Sequence, residues 1–250
     1  MAGHSHWAGI KHKKAVIDAK RGRLWSRLSK AIIVAARMGG GDPDANLRLR
    51  YAINDAKSVS MPKDNIDRAI KKGTGELGGG ALEEVLYEGH GPSGVMVICE
   101  ILTDNRNRTA PEIRKIFELN GGKLGATGCA AWMFDRKGLL VVPESAAEED
   151  VLMELALEAG AEDVQHSGDV FEVICPVDAF NDVCAAFEQA EVTADSREVT
   201  YIPRDTVDIG ADDARKVLKM MELLEDHDDV QSASANFNID DAVLAELETD

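Results

Sequence analysis

The chain has 250 residues, 44% of them hydrophobic, which is enough apolar material to bury a sizeable core in about two domains, with one or three also compatible. Its longest apolar runs, such as 31–36 and 95–99, fall far short of the roughly 20 residues that cross a bilayer, and no apolar signal segment follows Met1, so a soluble cytoplasmic protein is expected. The formal net charge of −17 is unevenly placed: residues 1–75 hold 16 Lys and Arg against 6 Asp and Glu, a net of +10, whereas 76–250 hold 12 against 39, a net of −27.

A cationic head attracts phosphate backbones by Coulomb steering and by releasing their condensed counterions, while the acidic remainder is repelled by the same phosphates. A lopsided complex with nucleic acid is the expectation. A basic, acid-poor start also suits an organelle transit peptide, but Gly3-His4-Ser5-His6-Trp7 leads straight into a helix with core-type residues, which disfavours that reading. Cys99, Cys129, Cys175 and Cys184 form no C-x-x-C pair, and three of them sit inside apolar runs, as buried reduced thiols do.

Residues 13–38 have a helical period, with Leu24, Leu28, Ala31 and Ala35 on one face and Arg23, Arg27, Lys30 and Arg37 in an adjoining stripe. Lys11, Lys13, Lys14, Lys20 and Arg21 surround the helix instead of keeping to one side, which suits an arm that meets phosphates; residues 1–20 are expected to order on binding. Gly39-Gly40-Gly41 stops the helix, and Asp42, Pro43 and Asp44 suit the start of the next, in which Leu49, Ala52, Ile53 and Ala56 repeat at helical spacing. A third, short helix has Pro62 and Asp64 at its start, Lys71 and Lys72 in its last turn and Gly73 beyond. These elements predict a basic helical bundle over 1–75 and, in the glycine-rich 76–80, a hinge.

Beyond the hinge, strands are expected at 83–88 and 95–102, a helix at 109–120 and a strand at 129–134, giving an unfinished ββαβ sheet. Next come a strand (139–142), a helix (148–159), two strands (163–166, 170–175), a helix (177–189) and a strand (198–202). That is βαββαβ, the ferredoxin-like order. A last helix (211–227) and strand (230–236) complete the earlier sheet. The predicted class is α+β: an N-terminal all-helical bundle followed by two α/β domains, with the ferredoxin-like one (138–203) inserted into a discontinuous one (81–137 and 204–250).

Few residues offer chemistry. His4, His6 and His12 lie close together, but no cysteine or paired carboxylate accompanies them, and solvated polar residues are the better reading. Gly73–Gly80 lacks the Gly-Lys-Ser/Thr ending of a phosphate loop. Glu148, Glu149 and Asp150 complement a helix dipole, and the acidic run 226–229 reads only as solvated charge. Asp104, Asn105, Arg106, Asn107, Arg108 and Thr109 leave a buried strand and open a helix. Asp104 or Thr109 suits a cap, and the two arginines beside exposed amides equally suit an anion or partner site. No nucleophile–base pattern, metal motif or dinucleotide fingerprint appears, so no enzyme, cofactor or small-molecule substrate is expected.

Met1-Ala2-Gly3-His4-Ser5 with Trp7, Ile10-Lys11-His12, 18–22, 61–66, 68–75, Tyr87-Glu88-Gly89, 102–109 and Trp132-Met133-Phe134 together resemble the YebC family of bacterial proteins, whose mitochondrial relatives include the translational activator of cytochrome c oxidase subunit one. The likeness spans essentially the whole chain. It departs at His6, where a lysine is expected, at Ala8-Gly9, at His90 and at Cys129; only His6 matters here, because it removes a fixed charge from the arm.

The resemblance implies a helical domain followed by two α/β domains, and a transcriptional regulator that binds DNA, or a translation factor acting at the ribosome on difficult nascent sequences such as proline runs. By that likeness the head meets nucleic acid, at Lys11, Lys13, Lys14, Lys20, Arg21 and Arg23, with the stripe residues Arg27 and Lys30 beside them. The expected partners are DNA or ribosomal RNA, with the ribosome as an alternative, no membrane, and a monomeric protein. Base readout should be weak, since the head offers cations for phosphates but no helix set with Asn, Gln and Arg for base edges.

Overall fold

The computed structural model describes residues 21–77, 83–240, 243, 244 and 247, with side chains from Trp25 onward. Three helices form the head: α1 (Arg21–Gly39), α2 (Leu47–Ser58) and α3 (Lys63–Gly73). α2 and α3 both pack on α1, because each carries apolar residues at helical spacing. Ile32, Ala35 and Ala36 of α1 meet Leu49, Ile53 and Ala56 of α2 and Ile66 and Ala69 of α3 in one buried cluster. The end of α3 comes so close to α1 that a Cβ on Gly73 would lie 2.6 Å from the Ile33 carbonyl oxygen, an approach only glycine permits.

The turn between α1 and α2 differs from expectation. Asp42 accepts from the backbone N–H of Asp44 in a local turn, and the helix starts later, capped by Asn46. This buried side chain accepts from Leu49 N at 3.1 Å and donates to the carbonyls of Ala35 and Gly40, each at 2.8 Å. One amide thus caps α2 and ties it to the end of α1. An aspartate lacks the two donors needed for the second task.

The first sheet has the order β3-β1-β2-β9, all neighbours antiparallel: β1 (Glu83–His90), β2 (Met96–Thr103), β3 (Lys123–Leu124) and β9 (Val230–Ala235). Helices α4 (Arg106–Leu119) and α7 (Ala211–Glu225) cover one face, where Ile113, Phe117, Val217 and Met220 close over Val97, Cys99 and Ala233. The second sheet comprises β4 (Phe134–Pro143), β5 (Asp163–Ser167), β6 (Val170–Cys175) and β7 (Ser196–Pro203), in the order β5-β6-β4-β7. With α5 (Glu149–Glu158) and α6 (Phe180–Gln189) on one face this is the ferredoxin-like arrangement. A two-residue parallel pair, β8 (Val207–Asp208) with β10 (Phe237–Asn238), completes the elements.

The strand expected at 129–134 is absent: Ala131–Met133 is a 3-10 turn, and the first sheet takes Lys123–Leu124 as its edge instead. The cause is Glu88. Its buried carboxylate accepts from the backbone N–H groups of Gly128, Ala130 and Ala131, each at 2.7 Å, and so claims the donors a strand would need. Burial works to raise its pKa, but these three donors outweigh it and hold the carboxyl below the usual glutamate range.

Candidate nucleic-acid interface

The head is fastened to both α/β domains by side chains that sequence patterning assigned to other tasks. Lys30 of α1 reaches Asp229, just before β9, with Nζ 3.7 Å from Oδ1, and one turn earlier Arg27 lies 3.7 Å from Glu225 at the end of α7. Asp229 is a hub. Its Oδ2 accepts from Arg108 Nη2 at 2.6 Å and from the Thr109 hydroxyl at 2.7 Å, and Thr103 Oγ1 lies 2.8 Å behind Thr109. Burial acts to raise the Asp229 pKa, but Arg108, Thr109 and Lys30 together hold it below the ordinary aspartate range. Lys30 is shifted down by burial despite the nearby carboxylates, and its buried ammonium has no hydrogen-bond partner among the described residues.

On the other side, Tyr51 of α2 inserts its ring into the core of the ferredoxin-like domain. The guanidinium of Arg197 lies over it at 4.9 Å from the centroid, and its hydroxyl donates to Glu188 Oε2 at 3.3 Å. Burial pushes the phenol up to about 12. Leu102 of β2 likewise enters the head's own core. Where the three units meet, a cavity of about 120 Å³ is lined by Arg48, Tyr51, Asp55, Glu100, Arg197 and Gln231, among others. Burial raises the Asp55 and Glu100 carboxyls and Ser232 donates to Glu100 at 2.6 Å, while Arg197 Nε and Gln231 Nε2 have no hydrogen-bond partner among the described residues.

The predicted site residues therefore separate. Lys11, Lys13, Lys14 and Lys20 lie outside the described residues, and Arg21 and Arg23 are placed by their backbone alone, in the first turn of α1. Arg27 and Lys30 are engaged by carboxylates of the body. In the run 104–109 the cap is Asn105, which accepts from Arg108 N at 3.2 Å, instead of Asp104 or Thr109. Thr109 is fully buried against Asp229, Arg108 is shared among Asp229, Asp104 and Glu112, and Arg106 lies 3.7 Å from Glu83. Asn107 is exposed. The run forms a knot that receives the head, and its arginines already face carboxylates.

The acidic run at 226–229, which sequence reasoning left as solvated charge, contains the hub. His227 beside it accepts from Asp229 N at 3.1 Å through Nδ1, so Nε2 carries the proton that faces Glu112 at 3.1 Å. Sequence reasoning also passed over a set of cations that the fold leaves outward. Lys57 at the end of α2 and Lys63, Arg68, Lys71 and Lys72 of α3 are all exposed, and their side chains make no ion pair or hydrogen bond among the described residues. The signal was in the helical spacing: with Ile66, Ala69 and Ile70 inward, Arg68, Lys71 and Lys72 fall on the opposite face.

Among the described residues no helix is long and apolar enough to cross a membrane. Two family models match, one described as the TACO1/YebC protein N-terminal domain over residues 5–76 and one as the TACO1/YebC second and third domain over 82–237. A "Probable transcriptional regulatory protein RB5500" from Rhodopirellula baltica is 56% identical over 247 residues, covering 98% of this chain and 100% of the relative. A protein called "Probable transcriptional regulatory protein" from Natranaerobius thermophilus is 55% identical, with 98% and 99% covered. The crystal structure of a conserved hypothetical protein, Aq1575, from Aquifex aeolicus superposes with a TM-score of 0.87 at 48% identity, covering 95% of this chain and 98% of that one. With both models matched in order along nearly its whole length, the chain belongs to the TACO1/YebC family.

Proposed function

We propose that this protein is a cytoplasmic, monomeric, non-enzymatic regulator of transcription that holds DNA by its sugar–phosphate backbone through the basic head. The observation that carries the reading is the separation of charge, +10 over residues 1–75 and −27 over the rest. A phosphate backbone is drawn to the first and repelled by the second, so the ligand is oriented before contact. The names of the relatives, transcriptional regulatory proteins, agree with a regulatory task.

A second reading, a ribosome-associated translation factor that contacts ribosomal RNA and eases difficult nascent sequences such as proline runs, is favoured by one feature. The outward face of α3 carries Arg68, Lys71 and Lys72, cations suited to phosphates. A factor of that kind binds with little sequence preference.

Binding of the full chain to promoter-bearing and random duplexes at physiological salt, together with sedimentation of cell extracts, separates the two. A promoter regulator prefers its site by about 10³-fold or more, whereas a ribosome factor shows no such preference and co-sediments with ribosomes. In either case Lys11→Ala, Lys13→Ala and Lys14→Ala together should leave the fold intact, weaken binding and flatten its salt dependence by about one unit per lost phosphate contact. Unchanged affinity for both DNA and RNA would remove the arm from the interface.

A further inference from the structure

We infer that the outward face of α3, Arg68, Lys71 and Lys72, is a phosphate-backbone contact surface of the head; the inference rests on the nucleic-acid reading above. It arises from how the fold sorts the head's cations. Arg27 and Lys30 face Glu225 and Asp229. Arg48 is half-buried and directs Nη1 at the Met38 sulfur, and Arg50 is half-buried with its guanidinium 6.0 Å from the Tyr51 ring. By contrast Lys57, Lys63, Arg68, Lys71 and Lys72 all point to solvent with no partner among the described residues.

Two opposing considerations are smaller than the effect. A helix C-terminus favours Lys71 and Lys72 through the dipole, which explains their position in the chain but leaves the ammonium groups unengaged. Asp64 shares the face and Asp67 flanks it, yet the four cations on α3 outnumber them. Arg68 and Lys72 stand at i and i+4 with Lys71 between, so three cations fall within about one helical turn, roughly 6 Å of axis, where neighbouring phosphates of one strand can be met together. A backbone docked here is read mainly by charge, because three cations outnumber Asn65, the single amide that helical spacing places beside Arg68 and Lys72.

The test uses the full chain and equal-length fluorescent duplexes of DNA and RNA in a salt series. The variant Arg68→Ala, Lys71→Ala, Lys72→Ala is compared with wild type and with the Lys11, Lys13, Lys14 triple alanine variant. Since none of the three side chains has a partner among the described residues, the thermal melt should be unchanged. Affinity should fall about tenfold or more at low salt, with the log–log salt slope reduced by about two to three units, and the duplex showing the larger loss identifies the natural backbone. Asp64→Asn should tighten binding, a gain that no folding defect imitates. If wild type binds neither duplex, the nucleic-acid reading falls and this surface with it. If wild type binds and the arm variant is weakened while the α3 variant keeps both affinity and slope, the α3 surface is overturned and the functional reading stands.

Discussion

The ammonium of Lys30 and the carboxylate of Asp229 meet across the boundary between the basic head and the acidic body, Nζ to Oδ1 at 3.7 Å, with Asp229 also gripped by Arg108 and Thr109. The opposite charges of the two halves therefore help to hold the molecule together. Lys30 on this seam is largely withdrawn from solvent, and the cations on α3 are not. The seam also sets an asymmetry between its two partners, because Asp229 accepts hydrogen bonds from Arg108 and Thr109, while Lys30 Nζ has no hydrogen-bond partner among the described residues and meets Asp229 only at 3.7 Å.

Removing Asp229 leaves the largely buried Lys30 without its ion-pair partner and the Thr109 hydroxyl without its acceptor carboxylate, while Arg108 keeps Asp104 and Glu112. Asp229→Ala is expected to lose about 3 kcal/mol in urea denaturation, whereas Lys30→Met, which keeps the aliphatic stem and removes an underbonded charge, should change stability by less than about 1 kcal/mol. Equal losses in the two variants would contradict this account of the hub.

Glu172 of β6 is fully buried on the sheet face opposite the helices, beside Val141 on β4, and neither carboxylate oxygen has a hydrogen-bond partner among the described residues. Burial pushes its pKa up to about 8. An acid with a raised folded pKa binds its proton more tightly when folded, so its destabilising effect is absent below the ordinary glutamate range, grows as pH rises through it, and is complete above about 8. Glu172→Gln should match wild type near pH 5 and exceed it by a few kcal/mol at pH 9, read from denaturation midpoints at both. A constant difference at the two pH values would show that Glu172 does not titrate as described.

Asn46 performs two tasks, which substitution can separate. Asn46→Asp keeps the acceptor that caps α2 but loses both donors to α1, so it should cost about 2 kcal/mol, close to Asn46→Ala. Asp and Asn are nearly equivalent as simple caps, so a neutral Asn46→Asp, measured by thermal melting, would mean the clamp on α1 contributes nothing.

Tyr51 anchors the head to the ferredoxin-like domain mainly by its buried ring. Tyr51→Ala should cost about 3 kcal/mol and expose the α1–α2 connection to limited proteolysis, while Tyr51→Phe, which loses one hydrogen bond to the exposed Glu188, should cost about 1 kcal/mol or less. Equivalent proteolysis of all three proteins would argue against the anchor.

Local patterning in the sequence reached far into this fold. The period of α1, the order βαββαβ from β4 to β7 and the return of α7 and β9 to the first sheet were all legible, because each depends on side chains a few residues apart. The failures fall where a distant group competes for the backbone or the charge. Glu88 takes the amides of 128–131 and replaces a strand by a turn, and Asn46 draws its donors' partners from the end of α1. The sequence alone determined how many positive charges the head carries and that they outnumber its negative ones. Only the tertiary structure decided which of them reach solvent: Lys30 meets Asp229 and Arg27 meets Glu225 through packing of elements far apart in the chain, whereas Arg68, Lys71 and Lys72 face outward because Ile66, Ala69 and Ile70 on the same helix must face in.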